Sequence, residues 1–305
     1  FAFFSFVFVN SLCYIIKMKN YEKFVVKVEK PTTVYFYLKN LSYSENYIKS
    51  LRKNSDGILL NDQPVTLRTR LSNNDILQIS NSCQPKTKIP ASSGKLDIVF
   101  EDDDFLIVNK PHGIACMPSR SHYHENLGGQ ICAYMQTKDQ NFVLRILNRL
   151  DKDTAGLVVV AKNVLACNNI SLEKEYHAIC HGTFETHKFA IDKPILTKVE
   201  NGINVMKRVV SPLGKPAITH VKVLKIFDNL SLLSLTLETG RTHQIRVHLS
   251  SIGHPLLGDK LYGESTLTHT FLVLKKIRFQ HFKTGELVEL EISYPNDWKD
   301  FLQKK

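Results

Sequence analysis

The chain has no C-x-x-C pair; its six cysteines, at positions 13, 83, 116, 132, 167 and 180, are scattered. That excludes a zinc ribbon and argues against a secreted disulfide scaffold, so reduced thiols and a cytoplasmic setting are expected. Also missing are G-x-x-x-x-G-K-[ST], G-x-G-x-x-G and G-x-S-x-G. P-loop nucleotide hydrolysis, dinucleotide binding and the α/β-hydrolase elbow lose support with them. The uncharged opening segment, residues 1–16, falls short of the roughly 20 apolar residues a membrane-spanning helix needs. It has neither the basic flank nor the small-residue cleavage site of a signal peptide. Met18 opens a more ordinary stretch, so residues 1–16 are expected to be an apolar tail outside the fold, with no membrane partner. Acidic residues are the deficient charge, 29 against 40 Lys and Arg in 305 residues, a net charge of +11. A basic surface suits a phosphate-rich polymer, although many enzymes that bind no nucleic acid are equally basic.

What is present is ordinary for a globular chain: 43% apolar and 23% charged residues, enough to bury a core without metal or disulfide staples. Residues 17–80 read as a small unit with 11 basic and 6 acidic residues, a net +5. A β-rich run around Val25, Val26 and Val28 is followed by a short apolar stretch at 34–41. Ser44 is placed to cap a helix whose Tyr47, Ile48 and Leu51 recur at helical spacing, with Gly57 as its stop. Strands are predicted at 58–60 and 76–79, with Asn61-Asp62 as a turn. The helix carries Lys49, Arg52 and Lys53, which by themselves read as a solvated face.

Residues 81–95, polar with two prolines, read as a linker. Strands at 96–100 and 105–108 flank the acidic run 101–104, which reads as a hairpin turn rather than a metal site. A helix is predicted at 125–138, an extended segment at 143–147, and strands at 157–160, 176–180, 220–226, 231–237, 271–274 and 288–292. A further helix is predicted at 243–251, stopped by Gly253. Strands outnumber helices without βαβ alternation, so an α+β fold with a mixed or antiparallel sheet is expected.

Two segments concentrate chemistry. In LNRLDKDTAGLVVVAK (147–162), Asp151 lies beside Arg149, between a polar loop and an apolar strand. A carboxylate there can be a nucleophile, a base or an electrostatic stabiliser, or simply part of a structural turn. In LETGRTHQIRVHLSSIGHPLLGDKLYG (237–263), Arg241, His243, Arg246, His248 and His254 cluster around a helix start. That set suits an anionic ligand, and its spacing does not match H-E-x-x-H, so no metal is expected.

These residues carry a resemblance. EDDDFLIVNKPHGIACMP (101–118), NRLDKDTAGLVVVAK (148–162), KEYHAICHG (174–182), KRVVSPLGKPAITHVKVL (207–224) and GRTHQIRVHLSSIGHPLLGDKLYG (240–263) closely resemble, in order, the RluA-type family of RNA pseudouridine synthases. The likeness covers roughly residues 96–295. Residues 33–80 resemble more loosely the αL-type RNA-binding module of ribosomal small-subunit protein four, with Leu60-Asn61-Asp62 where that module has Val-Asn-Gly. The resemblance implies a small RNA-binding module at 17–80, a linker at 81–95 and a pseudouridine synthase catalytic domain at 96–305.

It further implies isomerisation of uridine to pseudouridine in structured RNA, ribosomal RNA being preferred over tRNA, by a cofactor-free monomer that does not act on DNA. Asp151 becomes the catalytic carboxylate, by attack on the sugar, attack on the base or elimination. Arg246 becomes its ion-pair partner, with Arg241 the less favoured candidate, and Tyr176 stacks on the uracil or acts on it as general acid or base. Arg149 fills the stack left by an extruded base. Asn148, Arg241 and His243 are expected to contact substrate, and Lys49, Arg52 and Lys53 to contact RNA through the module. Two departures stand out: Asn148 replaces the family's usual His, and the 163–173 segment is short. A catalytically silent RNA-binding protein on the same scaffold, acting in ribosome assembly, is the alternative.

Overall fold

A computed structural model describes residues 15–17, 21–28, 30–41, 43–80, 89–119, 123–138, 142–200, 203–263 and 265–303. Its N-terminal part contains β1 (Ile15–Lys17), β2 (Tyr21–Val25), β3 (Thr32–Thr33), α1 (Val34–Asn40), α2 (Glu45–Leu51), β4 (Ile58–Leu60), β5 (Gln63–Pro64), β6 (Arg70–Leu71) and β7 (Ile76–Ser80). Five of these strands form an antiparallel sheet in the order β1-β2-β7-β4-β5. Ile15 and Ile16, from the apolar segment expected to lie outside the fold, pair with Phe24 and Lys23 at its edge. The expected start at Met18 lies outside the described residues.

The stretch at 34–41 is helical, with Val34, Tyr37 and Leu38 turned inward. Ser44 caps α2 by accepting from the Tyr47 N–H at 3.3 Å, a contact of about 1 kcal/mol. Asn61 and Asp62 both take positive φ, 51° and 65°. That is the two-residue hairpin geometry whose twist matches the flanking strands, and it joins β4 to β5.

A second, larger sheet begins at Ile98. It comprises β8 (Ile98–Glu101), β9 (Phe105–Lys110), β10 (Ala155–Ala161), β11 (Glu173–His181), β12 (Lys188–Asp192), β15 (Ile218–Phe227), β16 (Leu230–Leu237), β17 (Leu272–Gln280) and β18 (Leu287–Glu291). A separate hairpin is made by β13 (Ile195–Glu200) and β14 (Ile203–Val210). The helices are α3 (Leu127–Gln136), α4 (Val164–Asn168), α5 (Gln244–Ser250) and α6 (Lys299–Leu302). The strand order is β12-β15-β16-β11-β17-β10-β9-β8, with β18 also on β17. Only β10 and β17 pair in parallel; the other ladders are antiparallel. The fold is therefore α+β with a mixed sheet.

β10 is buried along its whole length, as a central strand covered on both faces must be, which explains its unbroken apolar run. Residues 143–147 form no strand and contribute a single bridge, Ile146 to Val160. β12 and the β13–β14 hairpin had no clear sequence signal. The short 163–173 segment closes in one turn of helix: Asn163 caps α4 by accepting from the Ala166 N–H at 2.8 Å, and β11 follows at once. The acidic run is a hairpin turn, its Asp102 accepting from the N–H groups of Asp104 and Phe105 at 2.7 and 2.6 Å.

The two sheets share a seam. Leu165 is buried in the N-terminal core with Phe24, Leu38 and Ile48, and Val164 and Phe282 pack against it. Among the described residues, no helix is long and apolar enough to cross a membrane.

Candidate active site

Asp151 sits in the loop that leads into β10, and the loop is held by polar contacts along both sides. The Cys116 sulfur lies 3.3 Å from both the N–H and the carbonyl of Leu150. Gly113 donates its N–H to the Lys152 carbonyl at 2.9 Å. The fully buried Lys110 ammonium donates to the carbonyls of Pro111, Ile114 and Lys152 at 2.9, 2.8 and 3.0 Å. Burial pushes its pKa down to about 8, with the charges of Asp153 and Asp151 opposing. Three carbonyls thus gather a cation under the loop and fix the backbone on either side of Asp151.

The carboxylate meets α5. Arg246 donates from Nη1 to Asp151 Oδ2 at 3.3 Å, and from Nε and Nη2 to Asp259 at 2.7 and 2.8 Å. Asp259 is fully buried and also accepts from the N–H groups of Leu261 and Tyr262. Burial works against the charge on Arg246, but the bond to Asp259 and the nearby Asp151 more than compensate and raise its pKa. Burial likewise opposes ionisation of Asp259, and the Arg246 pair outweighs it, so this carboxyl is held below its ordinary range. The arginine is therefore a permanent, oriented cation beside Asp151.

Tyr176 lies in β11 opposite Leu235 and Leu274, next to a register shift in the ladder. It lines the same pocket as Asp151, Arg246 and His243. Burial, reinforced by the Asp151 charge, raises its hydroxyl pKa well above the ordinary phenol value. The ring offers a stacking face and a hydroxyl whose proton burial holds more tightly than in an ordinary phenol. Arg149 and Arg241 also line this pocket and are exposed. Arg241 does not pair with Asp151 and instead donates to the Pro216 carbonyl at 3.1 Å. His243 brings Nε2 to 3.7 Å from Asp151 Oδ2.

Two sets of expected contacts lie elsewhere. Asn148 is buried and spends its amide on strand β10, donating to the Leu157 carbonyl at 3.0 Å and accepting from the Val159 N–H at 2.8 Å. It anchors the loop to the strand and is not among the residues that line the pocket, where it was expected to contact substrate. Lys49, Arg52 and Lys53 are exposed on the N-terminal part, away from the pocket lining, and Lys49 pairs with Glu45 at 2.9 Å. Sequence reasoning passed over Lys110, Gln244 and Asp259. Gln244 accepts from Thr239 and from the Arg241 N–H, and donates to Ile218 and Thr219, fixing the start of α5. A buried ion pair leaves no periodic signal; the quoted block around Gly258-Asp259 was the one trace of it.

Comparison with known proteins places the chain in a family. The family model described as RNA pseudouridylate synthase matches residues 104–251. The uncharacterized RNA pseudouridine synthase YhcT of Bacillus subtilis is 41% identical over 218 residues, covering 68% of this chain and 71% of that one. Ribosomal large subunit pseudouridine synthase D of Haemophilus ducreyi is 32% identical over 288 residues, covering 86% of each. The solved structure of human RNA pseudouridylate synthase domain containing 1 covers 70% of this chain and 89% of that one, with a TM-score of 0.55 and 26% identity. The chain thus belongs to the RNA pseudouridine synthase family and is an isomerase that modifies RNA.

Proposed function

We propose that the chain converts specific uridines to pseudouridine in structured RNA, with Asp151 as the catalytic carboxylate acting on an extruded nucleotide. The observation that carries this reading is the meeting of Asp151 and Arg246, 95 positions apart, at 3.3 Å in a pocket also lined by Tyr176, Arg149 and Arg241. The isomerisation breaks the C1′–N1 bond of uridine, joins C1′ to C5, and releases the C5 proton while N1 gains one. Nothing is oxidised and no group is donated, so no cofactor is required. A carboxylate can attack the sugar, attack the base, or assist elimination, and the hydrogen bond from Arg246 aims it.

Tyr176 offers its ring to the uracil. Arg149 occupies the gap left in the RNA stack, recovering part of the few kcal/mol that extrusion costs. Arg241 holds the nucleotide's ribose or phosphate, and His243 borders the bound nucleotide in the pocket lining. Residues 17–80 serve as an RNA-binding module, with Lys49, Arg52 and Lys53 as phosphate contacts whose contribution falls with salt. Ribosomal RNA is the favoured substrate, supported by the name of the Haemophilus relative.

The test is tritium release from RNA carrying 5-tritiated uridine. Asp151→Asn should abolish release and leave RNA binding intact; near wild-type release by the folded variant would remove Asp151 from the role. A pseudouridine map of cellular RNA with and without the protein identifies the target, and a change confined to tRNA would overturn the ribosomal preference.

A further inference from the structure

Behind Asp151 runs a polar chain that the reaction as described does not use. It begins on the β13–β14 hairpin, where the Arg208 backbone N–H donates to the Tyr262 hydroxyl at 2.8 Å. That hydroxyl lies 3.0 Å from His243 Nδ1. The opposite ring nitrogen, Nε2, faces Asp151 Oδ2 at 3.7 Å. Tyr262 is further enclosed by the Arg246 guanidinium, 5.3 Å from its ring centroid, and by the Lys207 ammonium at 5.7 Å.

Proton inventory settles the direction of this chain. A backbone N–H can only donate, so the Tyr262 oxygen spends a lone pair on Arg208. Burial raises the Tyr262 pKa, so the hydroxyl keeps its proton. That proton has His243 Nδ1 within reach, and an imidazole that accepts at Nδ1 carries its own proton at Nε2. The opposite tautomer would set an Nε2 lone pair against a carboxylate. Backbone geometry gives an independent sign: His243 takes a left-handed φ of 58° at the start of α5. For a side chain of this size that conformation costs on the order of 1 kcal/mol and is kept where the surroundings require it. Here it brings the ring between Tyr262 and Asp151.

We propose that His243 and Tyr262 are positioning residues for Asp151. The Tyr262 hydroxyl, anchored to the β13–β14 hairpin, locks His243 as the Nε2–H tautomer, and that N–H points its positive edge at Oδ2, the same carboxylate oxygen that Arg246 contacts, so that Asp151 is steadied from two directions. The inference rests on Asp151 being the catalytic carboxylate. It also links the hairpin to the reaction, because a shift of Arg208 on RNA binding would be transmitted through Tyr262 to the ring that faces Asp151.

The groups facing His243 are Asp151 from the loop, Arg246 from α5, Arg208 from β14, and Asp259 and Tyr262 from the segment after α5. Burial lowers the His243 pKa, against the pull of Asp151 and with the help of Arg246. The ring is thus neutral at neutral pH. Protonation at lower pH places a second full cation beside Asp151 and ties up the carboxylate, which gives the rate an acid limb below the ordinary histidine range.

The experiment uses the full chain, single-turnover tritium release at saturating RNA from about pH 5 to pH 8, with Asp151→Asn in parallel. Tyr262→Phe is expected to lower the rate constant by about 10-fold or more, with RNA affinity unchanged within about twofold. His243→Asn, which tolerates the left-handed backbone but cannot titrate, is expected to lose the acid limb as well as rate. Long-range proton–nitrogen NMR of the wild type, which needs no folded variant, should show His243 protonated at Nε2 and accepting at Nδ1. An Nδ1–H tautomer, or Tyr262→Phe and His243→Asn variants with wild-type rate and pH profile, overturns the proposal. So does a rate loss matched by an equal loss of RNA affinity. Release by Asp151→Asn would instead sink the assignment of Asp151, and this inference with it.

Discussion

Arg246 gives Asp259 two short hydrogen bonds and leaves Asp151 a single longer one. The division has a chemical consequence. A guanidinium fully committed to Asp151 would engage both its oxygens; one held by a buried second carboxylate contacts Oδ2 alone and orients the group.

Asp259→Asn is therefore expected to act twice. Removing one partner of a buried pair typically costs about 3–5 kcal/mol, because the remaining charge is left uncompensated. The freed guanidinium would close on Asp151 and slow the reaction. Urea unfolding and single-turnover tritium release measure the two effects, and a variant with wild-type stability would show that Arg246 does not depend on Asp259.

Glu101 supplies a pH-dependent stability far from the pocket. Burial opposes its charge, but hydrogen bonds from Lys138, Lys162 and Tyr134 win and hold its pKa at about 2. The unfolded chain thus binds the proton better than the folded one. The stabilisation is complete above the ordinary value of 4.5 and is lost as pH falls from there through about 2. Urea midpoints measured down this range should fall more steeply for the wild type than for Glu101→Gln; parallel curves would place the acid sensitivity elsewhere.

Gly156 sits in the short parallel pairing of β10 with β17, opposite Leu274. Its φ is +121°, and an added Cβ would lie 2.4 Å from the Leu274 carbonyl oxygen and 2.5 Å from its nitrogen. Both contacts are backbone and cannot swing aside. Gly156→Ala is expected to cost more than about 2 kcal/mol and, by displacing the strand that follows the loop, to lower turnover as well. A calorimetric scan with a parallel activity assay decides it; an unchanged melting temperature would mean the sheet adapts.

Deleting residues 1–90 should weaken RNA binding and lower its salt dependence, since the charge at 17–80 goes with it. The seam adds a cost that a freely tethered module would not have. Leu165 loses its burial and Phe282 the part of its packing that the N-terminal core supplies, and a buried leucine is worth roughly 1.5–3 kcal/mol. Salt titrations of RNA affinity and urea unfolding of the truncated chain test both parts; unchanged stability would mean the seam is not energetically significant.

Local pattern carried the elements that rest on neighbouring residues. The Ser44 cap, the Asn61-Asp62 turn, the continuous apolar strand before Lys162 and the helix before Gly253 each depend on a few adjacent side chains, and each was legible. Residues 143–147 do run extended, bonded to β10 through Arg145, Ile146 and Leu147, but too briefly to form a strand, and the stretch at 34–41 hid a helix because its period was too short to show. The family blocks named Asp151, Tyr176 and Arg246 as a set, but no periodicity joins positions 151 and 246. Their meeting, the burial of Asp259 against Arg246, and the turning of Asn148 away from the pocket toward strand β10 belong to the tertiary structure. The physical reason is range: caps, turns and strand propensities act over a few bonds, whereas hydrogen-bond partners and ionisation states depend on which distant groups the sheet brings within about 3 Å and removes from water.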